Sequence, residues 1–314
     1  MTTTKPPVPR PQIPKRLVVA INPQASFGKS RDVGPEVVRT LRAAGHEVTS
    51  LSESDFAQLM TVAEAALATK PDALIVVGGD GMVSLGANLV AETGIPLGIV
   101  PCGTGNDMSR GLGIPVGNTV LATEDLLRAL NVPPRIIDAG VITRGDGSTM
   151  WFAGILSAGF DAIVNERGNR MRWPKGRQRY NLALLRELAM LKPVRYRLTV
   201  DGVESETEAV LVAVANNISF GGGMKVTPDA QLDDGLLDMF IVQPLSRIAF
   251  LRIFPRVFKG THVTDSRVSI TRARHVRVEA ENIVAYADGE RVGALPVTVE
   301  VRPSALKVLS PAPK

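Results

Sequence analysis

Residues Ala73–Val90 read ALIVVGGDGMVSLGANLV. A run of apolar and β-branched residues stops at three glycines wrapped around one aspartate, and a helix-like pattern follows. A buried strand, a glycine turn and a helix form the repeating unit of a doubly wound α/β sheet. Backbone N–H groups in such a turn, aided by the helix dipole, suit a phosphate. The dinucleotide fingerprint G-x-G-x-x-G is not met, because Ser84 stands where its last glycine belongs. The Walker loop is absent too. Asp80 would repel a pyrophosphate unless a cation intervened, and Mg²⁺ held directly or through water is one explanation.

Working outward, the flanking sequence repeats the same unit. Arg16–Asn22 reads as a buried strand, Val33–Ala44 as an amphipathic helix and His46–Leu51 as a strand. Asp55–Thr69 reads as a helix with an Asp N-cap. Leu74–Val77 is a buried strand, Met82–Ala91 a helix and Pro96–Val100 another strand. Near-continuous apolar strands alternating with helices indicate a parallel sheet, with ligands at the C-terminal strand ends. A second glycine turn, Pro101-Cys102-Gly103-Thr104-Gly105-Asn106-Asp107, follows the last of these strands. Either turn alone is an ordinary βα connection. Two on neighbouring strand ends predict a polar cleft with two carboxylates.

From about Arg135 the texture changes. Ile136–Thr143, Trp151–Leu156, Tyr196–Val200, Ala209–Ala215, Leu236–Val242, Val268–Thr271, Val276–Ala280 and Val297–Val301 read as strands, with turn signals such as Asp201-Gly202 between some of them. Helical segments near Asn181–Leu191 and Ser246–Phe258 interrupt. The pattern predicts a mainly antiparallel β domain, with Ala305–Leu309 returning to the first domain. The expected organisation is a disordered tail at 1–15, an α/β domain at 16–138 plus about 303–314, and a β domain at 139–302.

Composition narrows the function classes. The chain has 314 residues, 45% hydrophobic, enough for a sizeable core. No apolar run reaches the roughly 18 residues a membrane span needs. The proline-rich start MTTTKPPVPRPQIPK lacks a secretory h-region. One cysteine, Cys102, excludes an internal disulfide and fits a cytoplasmic location; it reads as a small turn residue before a nucleophile. With 3 His, a zinc site of His and Cys ligands is disfavoured. Basic residues crowd Arg167–Arg197, which suits an anionic membrane surface or a plain solvated face. No nucleic-acid motif accompanies them, so nucleic acid is not an expected partner.

Three further acidic or glycine-rich segments follow. Gln231-Leu232-Asp233-Asp234-Gly235-Leu236-Leu237-Asp238 packs three acids before an apolar strand, an acidic hairpin entry or an oxygen-rich turn for a hard cation. Gly221-Gly222-Gly223 upstream permits close packing or hinge motion. Tyr286-Ala287-Asp288-Gly289-Glu290 sets two carboxylates on a D-G turn, a hairpin turn or a general base near a cleft.

Together VVGGDG (Val76–Gly81), PCGTGND (Pro101–Asp107), NN-x-S-F-G-G-G (Asn216–Gly223), PDAQLDDGLLD (Pro228–Asp238) and ADGE (Ala287–Glu290) resemble the diacylglycerol kinase catalytic family, especially its bacterial soluble lipid kinases. Each motif is weak alone. Five in order, from about Leu17 to the C-terminus, are specific. The resemblance implies an N-terminal Rossmann-like α/β domain related to NAD kinases, and a C-terminal β-sandwich over a lipid cleft. It implies ATP bound by Asn22, Pro23, Gln24, Ala25 and Ser26, by Gly79, Asp80, Gly81, Met82, Val83, Ser84 and Leu85, and by Gly103, Thr104, Gly105, Asn106 and Asp107. It implies Asp288 as general base beside Glu290. It also implies a structural Mg²⁺ on Asp234 and groups of Gln231 and Leu236, linked through water to Asp80 and Asp107.

One departure is Met82, where the family usually has Thr, so a hydroxyl near the phosphates is missing and ATP affinity is in question. The expected activity is transfer of the ATP γ-phosphoryl group to a lipid hydroxyl, diacylglycerol by default. Sphingoid bases, ceramide, glycolipids and polyprenol headgroups are alternatives. The expected partners are a lipid substrate at an anionic membrane surface, docked through Arg167–Arg197 with Trp173 and Tyr180, and a second copy in a homodimer. An NAD kinase shares only GGDG. A non-catalytic relative would be expected to lack one of Asp80, Asp107, Asp234, Asp288 and Glu290, all of which are present.

Overall fold

A computed structural model describes residues 13–23, 32–160, 162, 164 and 192–312. Residues 1–12 of the expected tail, the loop residues Gln24, Ala25 and Ser26, the helix at 181–191, and Trp173, Tyr180 and the cations between 167 and 191 lie outside the described residues. The chain divides into two units, residues 1–136 with 306–314, and residues 137–305.

In the first unit the strands β1 (Arg16–Ile21), β2 (Glu47–Ser52), β3 (Ala73–Gly78) and β4 (Leu97–Pro101) lie in the order β2-β1-β3-β4, all parallel. Both β3 and β4 are buried at every position, which explains their unbroken apolar sequence. Helices α1 (Val33–Ala43), α2 (Phe56–Leu67), α3 (Asp80–Val90), α4 (Asp107–Gly111) and α5 (Thr119–Ala129) complete the unit. As the sequence predicts, Asp55 caps α2, its carboxylate accepting the Gln58 amide at 2.8 Å. Asn118 caps α5 in the same way. Val308 and Leu309 pair parallel with Leu97 and Gly98 of β4. The strand order reverses between β1 and β3, and a doubly wound sheet opens its ligand crevice at that point.

The second unit is an antiparallel sandwich, so the two-part fold class read from the sequence holds. One layer contains β5 (Arg135–Arg144), β6 (Thr149–Phe152), β8 (Val194–Val200), β9 (Val203–Ala209), β13 (His275–Glu279) and the start of β16 (Val297–Leu309). The other runs β12 (Val268–Ala273), β11 (Leu237–Val242), β10 (Leu211–Ala215), β7 (Ile155–Gly159), β14 (Val284–Ala287), β15 (Glu290–Ala294). Alternation along β10 shows how the second layer is filled. Val212 and Val214 enter the core with Phe152, Tyr196 and Val278, while Ala213 and Ala215 face the opposite side with Met224, Phe240 and Val257. That outer side is covered by helix α6 (Arg247–Val257).

Several elements differ from the sequence reading. Trp151–Leu156 is two strands, β6 and β7, in different layers. The break comes at Ala153–Gly154, whose amides turn to a side-chain carboxylate instead of a ladder. Val297–Val301 and Ala305–Leu309 are one strand, β16. The strand β9 and the helices α4 and α5 carried no recognised signal, while β14 and β15 are the strands joined by the Asp288-Gly289 turn that the sequence offers as a hairpin. β9 (VESETEA) is mostly exposed and acidic, as suits a sheet edge, so it lacks the apolar alternation that marks a half-buried strand.

Candidate active site

In the first unit, Asn22 and Pro23 follow β1, Gly79–Gly81 follow β3 and Cys102–Asp107 follow β4, all at the C-terminal edge of the parallel sheet. The two glycine turns touch backbone to backbone. A Cβ on Gly103 would lie 2.3 Å from the Gly79 Cα, and no flexible side chain could yield there. The Cys102 amide extends the register by donating to the Gly78 carbonyl at 2.9 Å.

Asp80 locks these turns together. Its Oδ2 accepts the Asn106 amide at 2.9 Å and its Oδ1 accepts the Asp107 amide at 2.8 Å. Asn106 is left-handed, at φ 56°, and its side-chain amide closes on Gly103 by accepting from the Gly103 N–H and donating to the Gly103 carbonyl. The acid inside the turn is therefore a strut, with both carboxylate oxygens engaged by amides at the start of α4.

The structure also alters the reading of Met82. Its side chain is 3% exposed and folds against the Gly78 Cα, where an added Cβ would meet Met82 Cγ at 2.3 Å. A hydroxyl at position 82 would face the end of β3, not solvent. The amides of Met82 and Val83 both donate to the Gly79 carbonyl, so they are not donors for a phosphate. Val83, Ser84 and Leu85 are buried within α3, and Thr104 is exposed at the turn tip. Of the residues expected near phosphates, Gly79, Gly81, Gly103, Thr104 and Gly105 stand at the tips.

In the second unit the D-G turn joins β14 to β15. Asp288 and Gly289 are both left-handed, at φ 49° and 85°, the pattern of a two-residue hairpin. The Asp288 carboxylate sits in a nest of three successive amides. Ala153 donates to Oδ2 at 2.9 Å, and Gly154 and Ile155 donate to Oδ1 at 3.0 Å each. A side chain on Gly154 would collide with that carboxylate, since its Cβ would lie 2.4 Å from Oδ1. Glu290, at the start of β15, is half-buried. Burial raises its proton affinity above the ordinary carboxylate value, and the Asp288 charge raises it further.

Asn216, which the sequence reading quoted within a motif without a role, and Asp138, which it missed, hold this nest in place. Asn216 is buried, and its side-chain amide donates to the carbonyls of Asp138 and Ala153. Asp138, 3% exposed, accepts the amides of Gly235 and Ser304, and its own N–H donates to the Leu232 carbonyl. Contacts thus run from the 231–236 loop through Asp138 and Asn216 to the backbone that grips Asp288. The available signal was a lone acid inside the apolar strand RIIDAGVI.

In the 231–236 loop, Asp234 Oδ1 accepts the Leu236 amide at 3.1 Å. Its Oδ2 is buried without a hydrogen-bond partner, and the nearest cation is Arg272, 3.5 Å away and within Coulombic reach but not aligned as a donor. Arg272 also lies 3.7 Å from Asp238, whose proton affinity burial raises. Among the described residues no three His, Cys, Asp or Glu side chains cluster as metal ligands. The orphaned oxygen of Asp234 fits an oxygen ligand for one hard cation.

Comparison with known proteins bears on this arrangement. Residues 16–139 match the family model described as diacylglycerol kinase catalytic domain, and residues 154–310 match the YegS C-terminal NAD kinase β-sandwich-like domain. A diacylglycerol kinase of Mycobacterium tuberculosis is 39% identical over 297 residues, covering 94% of this chain and 95% of that protein. A diacylglycerol kinase of Bacillus subtilis is 28% identical over 290 residues, covering 90% and 92%. A crystal structure from Bacillus anthracis, described as a candidate diacylglycerol kinase, aligns with a TM-score of 0.74 at 26% identity, covering 95% of this chain and 97% of its own.

Proposed function

We propose, for a chain that belongs to the diacylglycerol kinase catalytic family and is thereby a lipid kinase transferring phosphate to an alcohol, that it moves the γ-phosphoryl group of ATP onto diacylglycerol to give phosphatidic acid. The observation that carries the acid–base part is the Asp288 nest with Glu290 beside it.

Phosphoryl transfer depends on positioning and charge neutralisation more than on covalent help. In this reading the glycine turns after β3 and β4 receive the triphosphate, with the Gly81 amide at the start of α3 and the Thr104 hydroxyl as donors. Asp80 fixes the spacing of the two turns, and Mg²⁺ accompanying ATP would offset its charge. The lipid hydroxyl oxygen forms the new P–O bond while the bond to ADP breaks, and its proton passes to the Asp288–Glu290 pair. The resemblance points to Asp288 as the base. Its three amide bonds make it a fixed anion, so Glu290, with the raised proton affinity, is the member suited to hold the proton.

Mg²⁺, when bound, supplies counter-charge and orders the loop. Asp234 with the carbonyls of Gln231 and Leu236 would hold it. A saturating Mg²⁺ concentration about a hundredfold over Kd should stabilise the chain by about 2.7 kcal/mol. Asp234→Asn should remove that gain in thermal melts, and an equal Mg²⁺ shift in wild type and variant would move the metal elsewhere.

Among the described residues no helix is long and apolar enough to cross a membrane. Access to diacylglycerol then requires peripheral docking on a bilayer, to which the basic sequence Arg167–Arg197 is suited; Arg197 pairs with Glu206 at 3.4 Å. The test of function is a labelled-ATP assay against diacylglycerol, a sphingoid base, ceramide and a glycolipid, with NAD as soluble control. Label in phosphatidic acid supports the reading. Label in another lipid revises the acceptor, and label in NADP alone overturns the reading.

A further inference from the structure

Helix α6 (Arg247–Val257) has two apolar faces, where a surface helix ordinarily has one. Ile253 and Val257 are buried, and Phe250 and Phe254 stack with centroids 5.5 Å apart, Phe250 also meeting Phe160 at 5.0 Å. This inner face closes over the outer side of β10 and β11. On the opposite side Ile248 is 65% exposed, Leu251 57% and Phe258 47%. At 3.6 residues per turn, positions 248, 251, 252, 255, 258 and 259 fall within an arc of about 120°. That arc therefore combines three large apolar side chains with Arg252 and Lys259, and Arg247 lies at its edge.

The helix and its flanking sequence carry charge of one sign. No acidic residue occurs between Asp238 and Asp265, a stretch that contains Arg247, Arg252, Arg256 and Lys259. Arg256 is engaged with the Thr261 carbonyl, the Thr264 hydroxyl and, at 4.0 Å, the Asp265 carboxylate. Among the described residues Arg247, Arg252 and Lys259 form no ion pair. Lys225 is exposed near the helix end, where its amide donates to the Val257 carbonyl. Exposed Ile, Leu and Phe flanked by cations complement an anionic lipid surface, which takes apolar side chains at the acyl boundary and cations at the headgroups.

We propose that the outer face of α6 is a docking surface for anionic membranes, with Ile248, Leu251 and Phe258 entering the interface and Arg247, Arg252 and Lys259 meeting the headgroups. The proposal rests on the lipid-kinase reading, yet it is measured without turnover. The probe is co-sedimentation of the full chain with phosphatidylcholine vesicles, with and without phosphatidylglycerol. Wild type should bind the mixed vesicles more tightly, and added salt should weaken that binding. Arg252→Gln/Lys259→Gln should lose roughly fivefold in affinity per cation. Ile248→Ser/Leu251→Ser should lose about tenfold or more. Both variants should phosphorylate a short-chain, water-dispersed diacylglycerol at the wild-type rate. That control separates the two ideas, since absent turnover with intact, variant-sensitive vesicle binding would sink the kinase reading alone. Equal binding by wild type and both variants, or no preference for anionic vesicles, overturns the docking surface. So does a wild-type dimer that the Ile248→Ser/Leu251→Ser variant converts to monomer, which would make the face a contact between copies.

Discussion

Asp288→Asn is expected to lower kcat/KM for lipid phosphorylation by about 10²–10⁴-fold, the usual contribution of a positioned acid–base group, and to lower stability as well. An Asn would turn an N–H₂ toward one of the amides of Ala153, Gly154 and Ile155, leaving that donor unsatisfied. Glu290→Gln should show a comparable loss of activity with the opposite effect on stability. The Glu290 pKa is raised in the folded chain, chiefly by burial and then by Asp288. A carboxylate raised in this direction contributes stability fully below its unfolded pKa and loses it as pH rises through the folded value. Removing its charge should therefore stabilise the chain at neutral pH and flatten the dependence of its melting temperature above the carboxylate range. The pH–rate profile separates the two roles. Wild type should show an acid limb above the ordinary carboxylate pKa, Asp288→Asn should move that limb to lower pH in its residual activity, and Glu290→Gln should remove it. An unchanged limb in Glu290→Gln would return the base to Asp288.

Asp80→Ala should dismantle the second glycine turn. Its carboxylate receives the amides of Asn106 and Asp107, and charge-assisted bonds of this kind are worth about 1.5–3 kcal/mol each before solvent exposure is discounted. A loss of roughly 2–4 kcal/mol is expected, with ATP binding falling in parallel because Gly103 and Gly79 would lose their register. Denaturant melts and equilibrium nucleotide binding on the same variant check it. Wild-type stability together with lost turnover would mean that Asp80 acts on the metal or substrate directly, as the sequence reading had it, and not as a strut.

Much of the first unit was legible because its signals are local. The unbroken apolar runs at Ala73–Gly78 and Leu97–Pro101 and the glycines after them specify buried parallel strands ending in tight turns. Asp55 could be read as a cap because its partner, Gln58, is three residues away. The second unit was legible as antiparallel, and the turn between β14 and β15 as a hairpin, but its edge strand β9 and the crossing at Ala153–Gly154 were not. An exposed edge needs no apolar alternation, and a layer change depends on what the amides meet across the fold.

Among the site residues, the sequence alone determined which carboxylates and glycines are present and in what order, and so the family and the class of reaction. What each carboxylate does was decided by tertiary structure. Asp80 became a strut because of amides 26 and 27 residues away, and Asp288 an anchored anion because of amides 133 to 135 residues away. Met82 became a core residue because β3 ends beneath it. Hydrogen bonds and contacts at that separation leave no periodicity in the chain, since they depend on which strand ends the folded backbone brings together.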